Sequence, residues 1–150
     1  MTLRERFARN LKRYREELGW SQEQLGNFIG ADRTGISRLE RTFGNLTLER
    51  ADALATAMGI DVRVLIGTPV TADLVPRPPT GDVSSAKVGV KVAELRKAEG
   101  ISQRTLGERV GIDRNHISRI EAPNGPATPL ELATLEKLAT ALRVNPADLL

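Results

Sequence analysis

The sequence predicts an all-α fold made of two small five-helix domains joined by a Pro-rich linker. Three observations support this prediction: the chain repeats itself, its apolar residues recur at helical spacing, and prolines cluster near its middle. A length of 150 residues is sufficient for two small helical domains. We expect the first domain at residues 1–67, the linker at 68–86 and the second domain at 87–150.

The repeat is visible when the sequence is shifted by 81 residues against itself. Residues 15–40 then overlay residues 96–121 without a gap, and 13 of these 26 positions are identical. After residue 40 the second copy has three additional residues, and 54–57 then matches 138–141 as Leu-Ala-Thr-Ala. This degree of identity indicates that both copies share one fold.

Apolar residues in each copy recur every three or four positions, the spacing of a helix with one buried face. Five helices are expected in the first copy, over residues 7–18, 22–29, 33–41, 48–58 and 61–67. On the second of these, Leu25, Phe28 and Ile29 are expected to face inward. The second copy repeats the pattern and ends in a short helix predicted at 146–150.

Residues that cap helices support these boundaries. Ser21 and Asp32 precede the second and third helices, where a side-chain oxygen accepts from unpaired amide groups. Gly30, between them, suits a left-handed turn. The second copy has the same residue types at the corresponding positions, Ser102, Asp113 and Gly111. Each copy is therefore predicted to contain two helices joined by a tight turn.

Residues 68–86 contain four prolines and lack a helical apolar period, which is typical of a linker. The chain contains no cysteine, so it forms no disulfide or thiolate metal site. Its apolar runs are shorter than the roughly 20 residues of a membrane span, and its amino terminus is charged where a signal peptide is apolar. These features predict a soluble, cytoplasmic protein.

Both copies contain the pattern Ser-Gln-x-x-Leu-Gly-x-x-x-Gly-x-Asp-Arg-x-x-Ile-Ser-Arg-[Leu/Ile]-Glu. This pattern resembles the Cro/repressor-type helix-turn-helix family, also called the XRE family, and the resemblance covers about four fifths of the chain. It implies two lambda-repressor-like helix-turn-helix domains. It also implies a sequence-specific regulator of transcription that binds double-stranded DNA, and repression is the more common role in the family.

The third helix of each copy is expected to enter the major groove of DNA, with its outward residues at the base edges. The expected base contacts are Arg33, Thr34, Ser37, Arg38, Arg114, Asn115, His116, Ser118 and Arg119. The third helix carries Thr34 and Gly35 in the first copy but Asn115 and His116 in the second. Because these side chains differ, the two helices are expected to prefer different bases. We therefore predict a bipartite, non-palindromic DNA site.

The resemblance also implies that Gln22 and Gln103 bind phosphates and brace the first residue of the third helix. Asn45 and Asn124, in the loops after that helix, are further candidates for phosphate contacts. Two alternatives stay open for Arg38 and Arg119, a phosphate contact or an internal ion pair.

The remaining charged residues of the repeated pattern are interpreted as structural. Glu40 and Glu121 are expected to pair with an arginine inside each domain, because a carboxylate repels phosphate. Arg15 and Arg96 are expected on a solvated face at the end of the first helix.

The pattern of residues argues against an enzyme. We find no glycine-rich phosphate loop, no metal-ligand cluster and no paired nucleophile and base, and the single histidine, His116, lacks partners for zinc. No cofactor, metal or small-molecule ligand is therefore expected. An alternative function is a DNA-tethered protein–protein adaptor such as an antitoxin or bridging factor. The apolar fifth helices are a possible surface for joining either the two domains or two chains in a homodimer.

Overall fold

The computed structural model describes residues 1–67, 78–122 and 129–150, and these ranges are helical apart from short connections. The helices of the first repeat are α1 (Leu3–Glu17), α2 (Gln22–Ile29), α3 (Arg33–Thr42), α4 (Leu48–Ala57) and α5 (Val62–Ile66). Those of the second repeat are α6 (Ser85–Ala98), α7 (Gln103–Val110), α8 (Arg114–Glu121), α9 (Leu132–Leu142) and a 3₁₀ helix (Pro146–Leu149). The predicted all-α class with two repeated sets of helices is confirmed.

Several helix boundaries differ from the expected ones by a few residues; for example, α1 begins at Leu3 and not at residue 7. Helix α6 begins at Ser85, with Ser84 as its cap, so the last residues of the predicted linker belong to the second repeat. The last element is a 3₁₀ helix rather than an α-helix. No helix in the described ranges combines the length and apolar character needed to cross a membrane.

Local cap chemistry defines the ends of α2 and α3 as the sequence predicts. Ser21 Oγ accepts from the Gln24 amide at 3.0 Å, while Gln24 Oε1 accepts from the Ser21 amide at 2.7 Å. Asp32 Oδ1 accepts from the Gly35 amide at 2.7 Å. Gly30 has a φ of +69°, the left-handed conformation that ends α2. These short-range bonds orient α2 and α3 relative to each other.

The two repeats share one continuous hydrophobic core. On α1, Leu3, Phe7 and Leu11 recur every four residues and are completely buried. On α9, Leu132, Leu135 and Leu138 form the corresponding buried row. Both rows belong to a single cluster of contacting apolar side chains, and α1 contacts α9 directly. The repeats are therefore packed against each other and not merely tethered.

A short antiparallel pairing of residues 46–48 with residues 130–132, which we call the junction, joins the repeats. The Leu48 amide donates to the Leu130 carbonyl at 2.7 Å, and the Leu132 amide donates to the Leu46 carbonyl at 2.9 Å. Thr47 and Glu131 lie opposite each other between these bonds. The central pair, Thr47 and Glu131, holds corresponding positions in the two copies, since their numbers differ by 84, the offset between the matching segments 54–57 and 138–141. The junction therefore has local pseudo-two-fold symmetry.

The first helix of each repeat begins against a carboxylate of the other repeat. The Leu3 amide donates to Glu136 Oε2 on α9 at 2.6 Å, and the Ser85 amide donates to Glu49 Oε1 on α4 at 2.8 Å. Amide groups at a helix start have no partner within the helix, and the helix dipole attracts negative charge there. These two reciprocal bonds reinforce the junction.

The fifth elements also meet inside the chain. Helix α5 contacts the 3₁₀ helix of the second repeat, so the apolar surface that could have joined two chains is used between the two repeats. The described part of the predicted linker contacts α5 through Arg63. Arg63 Nη1 donates to Thr80 Oγ1 at 3.4 Å, and Arg63 Nη2 lies 3.8 Å from Asp82 Oδ1. Residues 68–77 of the linker lie outside the described ranges.

Candidate nucleic-acid interface

The turn between α2 and α3 depends on close backbone contact as well as on Gly30. A Cβ atom at Gly26 would lie 2.6 Å from the Ala31 carbonyl oxygen, which is too close for any residue but glycine. The second repeat has the same restriction, since a Cβ atom at Gly107 would lie 2.5 Å from the Ile112 carbonyl oxygen. Sequence analysis missed this role, although both glycines are identical in the overlay of the repeats. They fix how far α3 and α8 project from the preceding helices.

The side chains expected to contact bases lie mostly on exposed faces of α3 and α8. The exposed ones are Arg33, Thr34, Arg38, Arg114, Asn115, Ser118 and Arg119. Ser37 and His116 are partly buried. Within the described residues, none of these four arginines forms an ion pair, and a DNA contact by Arg38 or Arg119 stays a prediction. Two faces carrying unpaired guanidinium groups are thus available to an anionic partner.

Behind the first face, Glu40 binds two side chains of its own repeat. Arg15 donates to both of its carboxylate oxygens, from Nε at 2.7 Å and from Nη2 at 3.1 Å, and the pair is almost completely buried. Arg15 Nη1 also donates to the Trp20 carbonyl at 2.7 Å. The hydrogen bond to Glu40 raises the pKa of the Arg15 guanidinium, so this guanidinium stays charged. The predicted internal pairing of Glu40 is confirmed.

The second repeat reproduces this arrangement. Arg96 Nε donates to Glu121 Oε1 at 2.5 Å, and Arg96 Nη1 donates to the Ile101 carbonyl at 2.9 Å. The prediction that Arg15 and Arg96 lie on a solvated face was therefore wrong. Their position near a helix end suggested solvent, but the chain brings a carboxylate 25 residues later back onto each of them. The arginine and the glutamate are 25 residues apart in both copies, and this equal spacing could have indicated the pair.

Gln22 and Gln103 join the same clusters. Gln22 Nε2 donates to Glu40 Oε2, and Gln103 Nε2 donates to Glu121 Oε2, each at 2.9 Å. The glutamines therefore brace the end of the third helix and not, as predicted, its first residue. A charged carboxylate is a stronger hydrogen-bond acceptor than a neutral group, which favours the bonds to Glu40 and Glu121. An amide nitrogen has two hydrogens, so each glutamine keeps one donor for another acceptor. The predicted phosphate contacts remain compatible with this geometry.

A polar surface cavity of about 400 Å³ lies at the amino-terminal end of α2. It is lined by Arg15, Ser21, Gln22, Glu23 and Arg33. Free amide groups at a helix start and a guanidinium group are both suited to an anion. A phosphate contact by Gln22 in this cavity stays a prediction.

The two predicted loop contacts have different outcomes. The structure places Asn45 beside the junction, where its Nδ2 donates to Glu131 and its Oδ1 accepts from the Ala133 amide at 3.1 Å. A phosphate contact by Asn45 stays a prediction and has to compete with the bond to Glu131. Asn124 lies outside the described residues, which omit 123–128.

Phe28 does not face inward, contrary to the prediction. It is 62% exposed, and its ring stacks on Trp20 with the ring centroids 4.9 Å apart. The nearby Leu18 is also exposed. In the second repeat, Leu18 and Phe28 correspond to Glu99 and Arg109, which form an ion pair at 3.1 Å, and Trp20 corresponds to Ile101. The first repeat therefore has an apolar surface patch (Leu18, Trp20 and Phe28) where the second has charges.

Comparison with known proteins agrees with this geometry. A helix-turn-helix family model matches residues 11–65 and again residues 92–149. A Neisseria meningitidis protein described as a hypothetical transcription factor is 37% identical over 67 residues, covering 45% of this chain and 63% of the relative. The control protein C.SmaI of Serratia marcescens is 38% identical over 66 residues, covering 44% of this chain and 79% of the relative. No solved structure matches the chain.

The fold and its exposed third helices define a helix-turn-helix protein, a class whose members bind DNA. Within that class, the chain belongs to the XRE-type helix-turn-helix family, which it matches twice over most of its length.

Proposed function

We propose that this chain is a sequence-specific regulator of transcription that binds double-stranded DNA through both repeats and acts as a repressor. Helices α3 and α8 enter the major groove at successive turns of the duplex, and their exposed side chains recognise the base edges. Arginine pairs with two acceptors of guanine, and Asn115 is suited to adenine. The polar cavity beside Gln22 accepts a phosphate and sets the orientation of the first repeat on the duplex.

The junction is the observation that supports this proposal most strongly. From the local two-fold symmetry of the junction we infer that α3 and α8 face the same side of the molecule. Because the repeats share a core and five hydrogen bonds donated by backbone amides cross between them in the described residues, we infer that the spacing of α3 and α8 is fixed before DNA binds. One chain thus supplies what two identical subunits supply to a palindromic site.

The two repeats differ on the DNA-facing side, and this difference determines the kind of site. Thr34 and Gly35 on α3 correspond to Asn115 and His116 on α8. Different side chains at the base edges favour different bases, so the proposed site has two unlike halves. Such a site has a direction, and the chain binds it in a single orientation.

Selection of bound fragments from a random DNA pool tests this function. The selected fragment and a shuffled control are then compared for affinity at two salt concentrations. Enrichment of a two-part motif, bound at least ~10³-fold more tightly than the control, supports the proposal. Weak binding without a motif, with a steep dependence on salt, indicates phosphate attraction alone and contradicts it.

The apolar patch of the first repeat favours a second candidate function, a DNA-tethered adaptor that binds another protein. Phe28 and Leu18 are exposed beside the partly buried Trp20, and a contiguous exposed apolar patch can mark a site for protein–protein contact. The double variant Leu18→Glu with Phe28→Arg transfers the ion pair of the second repeat to the first. If this variant keeps full DNA affinity but loses regulation, the adaptor function gains support. Unchanged regulation contradicts it.

A further inference from the structure

Gly89 on α6 lies against the carboxyl-terminal end of α8. A Cβ atom at this position would lie 1.9 Å from the carbonyl oxygen of Ile120 and 3.0 Å from its carbonyl carbon. Both atoms belong to the backbone, so no side-chain rotation can relieve such a contact. The backbones of α6 and α8 therefore approach each other more closely than any other residue at position 89 allows.

The first repeat cannot reproduce this approach. Its corresponding residue is Ala8, which is completely buried and carries the Cβ atom that Gly89 lacks. The glycines of the two turns occur in both repeats, whereas Gly89 has no glycine counterpart. The helices also end differently: α3 continues for two residues after Glu40, whereas α8 ends at Glu121.

The end of α8 is held at a second point by the same helix. Arg96, two turns after Gly89 on α6, forms the ion pair with Glu121, which directly follows Ile120. Ser118 and Arg119 precede these anchored residues and are exposed on the expected DNA-facing side. Any displacement of Ile120 from α6 therefore moves Ser118 and Arg119 relative to the rest of the second repeat.

We propose that Gly89 is a positioning residue for DNA recognition by the second repeat. Because Gly89 has no side chain, the backbone of α8 packs directly against α6. This contact sets the tilt of α8 and therefore the position at which Ser118 and Arg119 contact their half of the site. This inference rests on the proposed function and adds that the two repeats differ in the pose of their recognition helices as well as in side chains.

The experiment compares Gly89→Ala with the unaltered chain on three duplexes: the selected site, the site with its first half scrambled, and the site with its second half scrambled. In the unaltered chain each scrambled half weakens binding. In Gly89→Ala we expect the penalty for the second half to fall by at least about tenfold, while the penalty for the first half stays within about twofold. The matched control is Ala8→Gly, which leaves both penalties within about twofold.

Thermal unfolding followed by circular dichroism shows whether each variant is folded. Arg96→Lys is a second variant, which weakens the attachment of the end of α8 to α6 without adding a Cβ atom. If Gly89→Ala does not fold, the same two binding penalties are compared for Arg96→Lys. Folded variants whose two penalties match those of the unaltered chain overturn the inference, as do equal losses for both halves. An unaltered chain with no preference for any sequence overturns the proposed function itself, and this result is distinct from either.

Discussion

Glu131 lies directly opposite Thr47 in the junction, and the two residues hold corresponding positions in the two repeats. Pairing a repeat with a copy of itself would place either two threonines or two glutamates at this point. Two opposed carboxylates repel each other, whereas the unlike pair also lets Glu131 accept from Asn45. The unlike pair therefore favours association of the first repeat with the second.

The reciprocal bonds that begin α1 and α6 are expected to contribute to stability. We predict that Glu136→Ala, which removes the acceptor of the Leu3 amide, lowers the free energy of unfolding by about 0.5–2 kcal/mol, as the loss of a helix cap does. Urea unfolding at neutral pH measures the change. Lys137→Ala is the control, because this neighbouring side chain is exposed and should shift stability by less than about 0.5 kcal/mol. A smaller effect of Glu136→Ala than of the control would contradict the role assigned to this bond.

Glu40 is predicted to be essential to the first repeat. Glu40→Ala leaves the buried Arg15 guanidinium without its partner, and breaking a buried pair from one side costs about 3–5 kcal/mol. Chemical denaturation is the measurement, with Arg38→Ala as the control for an unpaired, exposed cation on the same helix. Equal stability of the two variants would show that the Arg15–Glu40 pair is energetically unimportant.

Two aspartates near α5 should respond to pH in opposite directions. Burial, and then the nearby Asp61 charge, raises the pKa of Asp52, whereas the hydrogen bond from Thr80 lowers the pKa of Asp82. A raised carboxyl pKa means that stability falls as pH rises through it, because the folded state then retains the proton more strongly. A lowered pKa gives stability at neutral pH that is lost as pH falls.

We therefore predict that Asp52→Asn raises the melting temperature at pH 7 and that Asp82→Asn lowers it. The difference for Asp52→Asn should vanish well below the ordinary carboxyl pKa of about 4, whereas the difference for Asp82→Asn should vanish only at still lower pH, below the lowered pKa of Asp82 in the folded chain. Melting temperatures over a pH series provide the measurement. A destabilised Asp52→Asn at pH 7 would refute the assigned effect of burial.

DNA recognition is expected to depend on both third helices. Arg33→Ala and Arg114→Ala should each weaken binding to the selected site by about 1–3 kcal/mol, with relaxed preference confined to one half of the site. Lys137→Ala, on the outer face of α9, should leave affinity unchanged. Loss from only one of the two arginine variants would assign recognition to a single repeat.

The sequence predicts features that depend on short-range contacts. Ser21, Asp32 and Gly30 act within one or two helical turns, so their roles follow from residue type and spacing. The internal pairing of Glu40 also follows from charge, since a carboxylate is unsuited to face phosphate. The partner of Glu40 does not follow, because Arg15 is 25 residues away and helix-end propensity suggests a solvated residue.

The junction is a long-range feature that repetition alone could not predict. Sequence similarity shows that two copies fold alike but not that residues 46–48 pair with residues 130–132. The bonds are formed by backbone groups, so residue type gives little sign of them. Phe28 was expected inside for its apolar character, yet stacking on Trp20 buries only part of the ring. The exposed positions on α3 and α8 were predictable from the repeated pattern, whereas the packing of the two repeats against each other was not.

The most direct test of the central claim is the stoichiometry of the complex with the selected DNA, measured by native mass spectrometry and combined with footprinting. The structure predicts one chain per site and protection of two segments on the same face of the duplex, separated by about one helical turn of ~34 Å. Two chains per site, or protection of a single segment, would contradict the account of one chain acting as a covalently joined pair of DNA-binding domains.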